Sequence, residues 1–474
     1  MTHITTGSAD LDHVLGGGLP VGSLVILAGA PGTGKTILAQ QICFANAVGD
    51  KTAVYYTTWS EPHDKLVRHL EPFSFFEKDA LGWRIEFVHL PGLLDGPGGG
   101  GFEAASDEIL RKSFHSKPAV IVVDSSKALH DVVDPAELRR TLYDLASKVA
   151  HSNAVLILVG EYSLEETRMN PEFAVADGIV LLENEARGPV DRRWLRVLKM
   201  RGGETAPGQH SFAIGPDGFE VFPRLETTLP KRTTIPEGRA EFGIPGIDGL
   251  LGGGIPRGDS ALARGPSGVG KTMLALHITK AGLDQGERAL HISFQEGQAQ
   301  LLERAKSAGW DWAPLLGDRL TIAHVPPVEV DLDRVGSIVR AELARGDVGR
   351  VVVDSLAELA FAARETERLP GYIWALTWFA RAAGATTLLT NEIASLGETA
   401  VSNLSFLFDD VILLRYVERE SGLIRGANVL KMRRSGHDRR LVGFDVGSNG
   451  IEAGDELEGV TGLLGWSALR TEID

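Results

Sequence analysis

The chain has 474 residues, 43% apolar and 23% charged, the balance of a globular protein with room for two or more cores. Its formal net charge of −15 argues against a generic hold on nucleic acid, because Lys and Arg neutralising phosphates supply most of that affinity. A single cysteine, Cys43, excludes an intrachain disulfide, and no apolar run approaches the ~20 residues of a membrane-crossing helix.

The N-terminus, MTHITTGSADLD, lacks the basic and apolar regions of a secretion signal, so a cytoplasmic protein is expected. An apolar run at 24–27 leads into a glycine-rich loop, and a helix is expected over 35–48 with Cys43 on its buried side. Apolar runs recur at 53–56, 85–88, 119–123 and 154–159, separated by helix-like stretches. Runs apolar on both faces that alternate with helices are what a buried parallel sheet requires. Past residue 178, IVLLEN, WLRVLKM and HSFAI follow closely and read as antiparallel strands at one end of the sheet. DGPGGGGF (95–102) reads as a flexible surface loop, and PRLETTLPKRTTIPEG (223–238) as a linker.

The pattern then starts again. Residues 7–36 read GSADLDHVLGGGLPVGSLVILAGAPGTGKT, and residues 243–272 read GIPGIDGLLGGGIPRGDSALARGPSGVGKT, aligned without a gap at an offset of 236. AVIVVDS (119–125) is echoed by RVVVDS (350–355), and VLKMRG (197–202) by VLKMRR (429–434). A repeat this long is a duplicated domain. We expect an α/β protein with domains at 1–230 and 231–454, each a mainly parallel sheet flanked by helices, and a C-terminal tail at 455–474.

Each copy carries G-x-x-x-x-G-K-T between an apolar strand and a helix, at 29–36 and 265–272. That context makes it a phosphate-binding loop: glycines let backbone N–H groups turn toward phosphates, and the helix N-terminus adds favourable partial charge. The expected ATP-binding residues are Gly32, Thr33, Gly34, Lys35 and Thr36 in the first copy. In the second they are Gly268, Val269, Gly270, Lys271 and Thr272. Lys35 and Lys271 would neutralise the β- and γ-phosphates, and Thr36 and Thr272 would give a hydroxyl to Mg²⁺. Asp124 and Asp354 each end an apolar run, the Walker-B position beside such a loop.

The arrangement LD-x-x-LGGG-x-P-x-G ahead of a phosphate loop, present twice, resembles the KaiC family of RecA/RadA-like ATPases over nearly the whole chain. The resemblance implies two tandem RecA-like domains, a homohexameric ring, and ATP with Mg²⁺ held between neighbouring subunits. Some members, including the cyanobacterial circadian-clock one, hydrolyse ATP slowly and autophosphorylate in the second domain. The family ends its next strand in a pair of glutamates, one serving as base. In HISFQEGQAQLLERA the pair falls on Gln295 and Glu296, so Glu296 is the expected base and one carboxylate is missing. In YYTTWSEPHDKL it falls on Trp59 and Ser60, and Glu61 reaches the place only through a one-residue shift.

Lys199, Arg201, Lys431 and Arg433 match the family's K-x-R strand, which implies contacts to a neighbour's γ-phosphate. Ser435 and His437 continue that match in the second copy, with Arg434 in place of the usual glycine and Gly436 in place of a bulky residue. In VSNLSFLFDDVILL (401–414) the adjacent phosphoacceptors of the clock protein fall on Ser405 and Phe406. Phe406 cannot accept phosphate, which leaves Ser405 as the acceptor to consider. Two other readings stay open: a RecA/RadA-type DNA-dependent ATPase or helicase, for which RRSGHDRR (433–440) is the one basic cluster, and a nucleotide-dependent scaffold with an idle first site. Regulatory protein partners are expected but not named by the residues.

Overall fold

The computed structural model describes residues 2–58, 63–90, 106–112, 116–127, 134–187, 190–230, 236–363, 367–393, 400–419, 422–457, 460–461 and 469–470. The chain divides into two compact units, Met1–Thr227 and Thr228–Asp474. Glu61 and the loop at 95–102 lie outside the described residues.

In the first unit the strands are β1 (Leu24–Gly29), β2 (Ala53–Thr57), β3 (Ile85–His89), β4 (Val120–Asp124) and β5 (Val155–Glu161). They continue as β6 (Gly178–Arg187), β7 (Val190–Met200), β8 (His210–Gly215) and β9 (Gly218–Phe222). Among the described residues they form one nine-stranded sheet in the order β9-β8-β7-β6-β1-β5-β4-β2-β3. The second unit repeats this with β10 (Ser260–Gly265), β11 (Arg288–Ser293), β12 (Leu320–His324), β13 (Val348–Asp354) and β14 (Thr386–Glu392). Its remaining strands are β15 (Asp410–Arg419), β16 (Gly422–Met432), β17 (Val442–Gly447) and β18 (Gly450–Glu456), and the strand order matches. One expectation shifts. The IVLLEN strand, β6, runs parallel to β1, so the antiparallel block begins only at β7.

Alternating residues of β1 reach two different cores. Val25 and Leu27 join Leu38, Ile42 and Cys43 of α1 (Lys35–Asn46), while Leu24, Ile26 and Ala28 join Leu138, Leu142 and Leu145 of α2 (Pro135–Val149). A period of two with both faces apolar is thus a central strand between helical layers. Cys43 is buried, and burial pushes its thiol pKa up.

The repeated LGGG segment is a packing device. Gly18 (φ 106°) and Gly254 (φ 111°) cross a neighbouring strand so closely that a Cβ would lie 2.3 Å from the Ile4 carbonyl oxygen and 2.6 Å from that of Ala240. The motif's aspartate closes the same turn. Asp12 accepts from the Thr6 amide at 2.7 Å, and Asp248 from the Phe242 amide at 2.8 Å.

One difference between the copies is electrostatically costly. Gly178 and Asp410 occupy the same place, opposite Val25 and Ala261. Asp410 is fully buried, and neither of its carboxylate oxygens has a hydrogen-bond partner among the described residues. Burial, then the charges of Asp259 and Asp409, raise its pKa to about 8, against the opposing pull of Arg434 and Arg239. A carboxyl raised in the fold keeps its proton there while the unfolded chain loses it. Its contribution to stability therefore falls as pH rises from the unfolded value near ~4 to the folded value. D410N should be more stable than the parent by a margin that widens over that window, at up to about 1.4 kcal/mol per pH unit. Denaturant titrations at pH 5 and pH 8 check this, and a margin independent of pH contradicts it.

Candidate functional site

Each phosphate loop leaves the C-terminal edge of the central strand, β1 or β10, and enters a helix, α1 or α3 (Lys271–Asp284). The residue capping each helix is left-handed, Gly34 at φ 93° and Gly270 at φ 113°, a conformation that a side chain would strain. The lysines are drawn back over their own loops. Lys35 Nζ donates to the carbonyls of Gly29 (2.9 Å) and Ala30 (2.8 Å), and Lys271 Nζ to those of Gly265 (3.0 Å) and Pro266 (2.8 Å). Burial lowers both lysine pKa values, and neighbouring carboxylates oppose the shift. A buried ammonium at the mouth of a helix N-terminus fits a polyanionic ligand. Thr33 fastens the first loop, its hydroxyl donating to the Ala30 carbonyl at 2.9 Å, while apolar, buried Val269 holds the same place in the second. Gly32 and Gly268 lie at the exposed tips.

Asp124 and Asp354, the carboxylates expected at the Walker-B position, each end a strand. Asp124 ends β4 and accepts from the Thr36 hydroxyl at 2.8 Å and the Tyr55 hydroxyl at 2.7 Å. Burial raises its pKa, opposed by those two bonds and by Lys35. Asp354 ends β13 and accepts from the Thr390 hydroxyl, and His291 stands where the first unit has Tyr55. The Thr36–Asp124 contact fits a shared Mg²⁺ shell, since hydroxyl and carboxylate oxygens are hard ligands already side by side.

The two cavities differ. That of the first unit, about 870 Å³, is lined by Gly32, Gly34, Lys35, Thr36 and Asp124 together with Leu66, His69, Phe73, Glu161 and Arg193. That of the second, about 290 Å³, brings Gly268, Gly270, Lys271 and Thr272 together with Asp354, Gln295, Glu296, Glu358, Glu392 and Arg425. Sequence reasoning missed two matched pairs here. Glu161 and Glu392 end the strand beside each loop, in register with Gly29 and Gly265, and Glu392 comes within 3.8 Å of Lys271 Nζ. Arg193 and Arg425 reach the cavities from β7 and β16. Recurrence at matched positions was the available signal. Glu296 lines the second cavity, but both its oxygens face the Arg304 guanidinium.

The K-x-R residues do not join their own phosphate loop. Lys199 pairs in register with Ile179 near the start of β6, and β6 runs parallel to β1 from the level of Val25. Ile179 lies opposite Ile26, three residues before Gly29 where the loop begins, so about 10 Å of strand separates the two levels. Lys199 Nζ contacts the Phe173 and Ala174 carbonyls at 3.5 and 3.3 Å, and Arg201 pairs with Asp177 at 3.3 Å. The second unit repeats this: Lys431 Nζ contacts the carbonyls of Ser405 (3.3 Å) and Phe408 (2.6 Å), and Arg433 that of Phe406 (2.6 Å). Ser405 is half-buried beside both cations, and Ser435 and His437 lie in the loop after β16. No described helix is long and apolar enough to cross a membrane.

Comparison with known proteins agrees with this geometry. The family model described as ATPase: KaiC matches residues 4–226 and again 240–458. The circadian clock oscillator protein KaiC of Parathermosynechococcus lividus is 28% identical over 482 residues, 99% of this chain and 88% of that protein. That of Thermosynechococcus vestitus is 29% identical over 490 residues, 99% of this chain and 91% of that protein. That of Synechococcus elongatus is 27% identical over 496 residues, 100% of this chain and 92% of that protein.

Proposed function

The chain belongs to the KaiC family of ATPases, and we propose that it is a regulatory ATPase that binds ATP with Mg²⁺ at both phosphate loops, between the subunits of a ring. The observation that supports the proposal is that the two sets of matched cations stand at opposite ends of the strands. Lys35 and Lys271 stand at one edge, and the matched cations Lys199, Arg201, Lys431 and Arg433 at the other. A cation that cannot serve its own loop can serve a neighbour's, and a closed ring satisfies every such contact. Charge supplied in trans would then couple turnover to assembly.

In this proposal the loop residues 32–36 and 268–272 hold the triphosphate, and Thr36, Thr272, Asp124 and Asp354 order the metal shell. When bound, Mg²⁺ would screen the phosphate charge that builds up during transfer. The family resemblance points to the strand-end Glu296 as base of the second site and to Glu61 as base of the first, and Ser435 and His437 extend the in-trans surface. Ser405 is the proposed acceptor if phosphate passes to the protein itself. The net charge of −15 favours this reading over a DNA-handling ATPase.

Particle mass with and without nucleotide tests the proposal. Incubation with ATP and Mg²⁺ should convert smaller species into a ring of about six subunits. A mass unchanged by nucleotide, with turnover intact, removes the in-trans reading. Mass spectrometry of the same incubated sample tests Ser405, and an unmodified residue removes the autokinase component.

A further inference from the structure

The second site lacks one carboxylate of the expected pair, because Gln295 stands where the family has glutamate. The structure puts a carboxylate against that glutamine. Glu358, in the first turn of α5 (Leu356–Ala363), accepts from the Gln295 side-chain amide and from the Ser355 hydroxyl, and it lines the cavity of Lys271 and Thr272. We propose that Glu358 supplies the missing carboxylate, moved from the strand end to the neighbouring helix, and that it takes the proton from the water attacking ATP at the second site.

Three observations carry this assignment. Glu358 is one of the carboxylates acting electrostatically on the Lys271 ammonium, together with Glu392 and Asp354. Both Glu296 oxygens face the Arg304 guanidinium of α4 (Gln298–Ser307), a cation that opposes protonation, whereas the partners of Glu358, Gln295 and Ser355, are neutral. Aligned on Asp124 and Asp354, the first copy has Ala128 where the second has Glu358, so the carboxylate belongs to the copy that carries the glutamine.

The competing explanation is a helix cap. Ser355 and Glu358 have the S-x-x-E spacing of a capping box, in which the glutamate accepts from the cap residue's backbone amide. Here it accepts instead from the serine hydroxyl and from Gln295, across the cavity wall. Glutamine serves a capping box as well as glutamate does, so E358Q keeps a cap and removes the charge.

The water oxygen forms a bond to the γ-phosphorus, its proton passes to the Glu358 carboxylate, and the bond from that phosphorus to the bridging oxygen breaks. ADP leaves with the electron pair. Gln295 positions the carboxylate by donating its amide, and Ser355 fixes the second oxygen.

The inference rests on ATP turnover at the second site, and the full-length chain tests it by turnover and by binding of a fluorescent ATP analogue. E358Q should lower turnover about 100-fold while analogue affinity stays within about three-fold, and it should flatten the acid limb of the pH–rate profile. Q295E/E358Q returns the carboxylate to the strand and should recover most of the lost rate. Wild-type turnover in E358Q, or a loss that the double variant does not recover, overturns the assignment. If K271A abolishes turnover and E358Q does not, Glu358 alone is wrong. Turnover that survives K271A overturns the second-site reading and this inference together.

Discussion

Replacing Lys271 with alanine is expected to lower ATP turnover of the whole chain at least about 100-fold, whereas the same change at Lys35 leaves most of it. The lysines look alike locally, each buried and bonded to two carbonyls of its own loop. Their surroundings differ. Lys271 faces Glu392, Asp354 and Glu358, and Lys35 faces Glu161 and Asp124. Without Lys271, a triphosphate would meet three carboxylates with one cation fewer, and repulsion between like charges across a buried cavity is severe. At the first site, the loss of Lys35 should weaken nucleotide binding there. It should not stop chemistry at the second site, where Glu296 and Glu358 stand. Phosphate release by K35A and K271A, each compared with the parent, decides the matter. Equal loss from both would mean that the sites turn over alike.

The second large effect is expected from Arg433→Ala, which should lower turnover about 1000-fold although Arg433 lies far from its own phosphate loop. Within one chain Arg433 contacts the Phe406 carbonyl and lies 3.8 Å from Asp409, so a purely local role in holding that turn must be separated from a role in trans. Mixing separates them. R433A subunits keep Lys271, and K271A subunits keep Arg433. Where an R433A loop meets a K271A neighbour, a complete site forms. Random assortment of the two in a ring makes such interfaces roughly a quarter of the total, so the mixture should recover about a quarter of parental turnover. Two variants that are each inactive and stay inactive when mixed would confine Arg433 to a local structural role.

The sequence exposed the parts of the site that are local in the chain. Gly29 to Thr36 and Gly265 to Thr272 are contiguous, and a strand followed by a glycine loop and a helix can be read without knowing the fold. The parallel sheet was legible for a similar reason: the runs VIVV and VVV ahead of Asp124 and Asp354 are apolar at successive positions, as a strand covered on both faces requires. The parallel pairing of β6 with β1 was not legible, because a strand's periodicity does not say which neighbour it takes. Glu161, Glu392, Arg193 and Arg425 escaped because they reach the cavities from β5, β14, β7 and β16, remote in sequence from the loops they face. Glu358 escaped in a different way. Its S-x-x-E spacing has an ordinary local explanation, and only the contact with Gln295 across the cavity wall gives it another.

The central claim is two unequal nucleotide sites in one chain. Nucleotide content tests it most directly: protein incubated with ATP and Mg²⁺, separated from free nucleotide, denatured and chromatographed. Two nucleotides per parental chain are predicted, falling to one in either K35A or K271A. The nucleotide retained by K271A should be ATP, and that retained by K35A largely ADP. One nucleotide per parental chain, or ADP as the main species retained by K271A, would contradict the account.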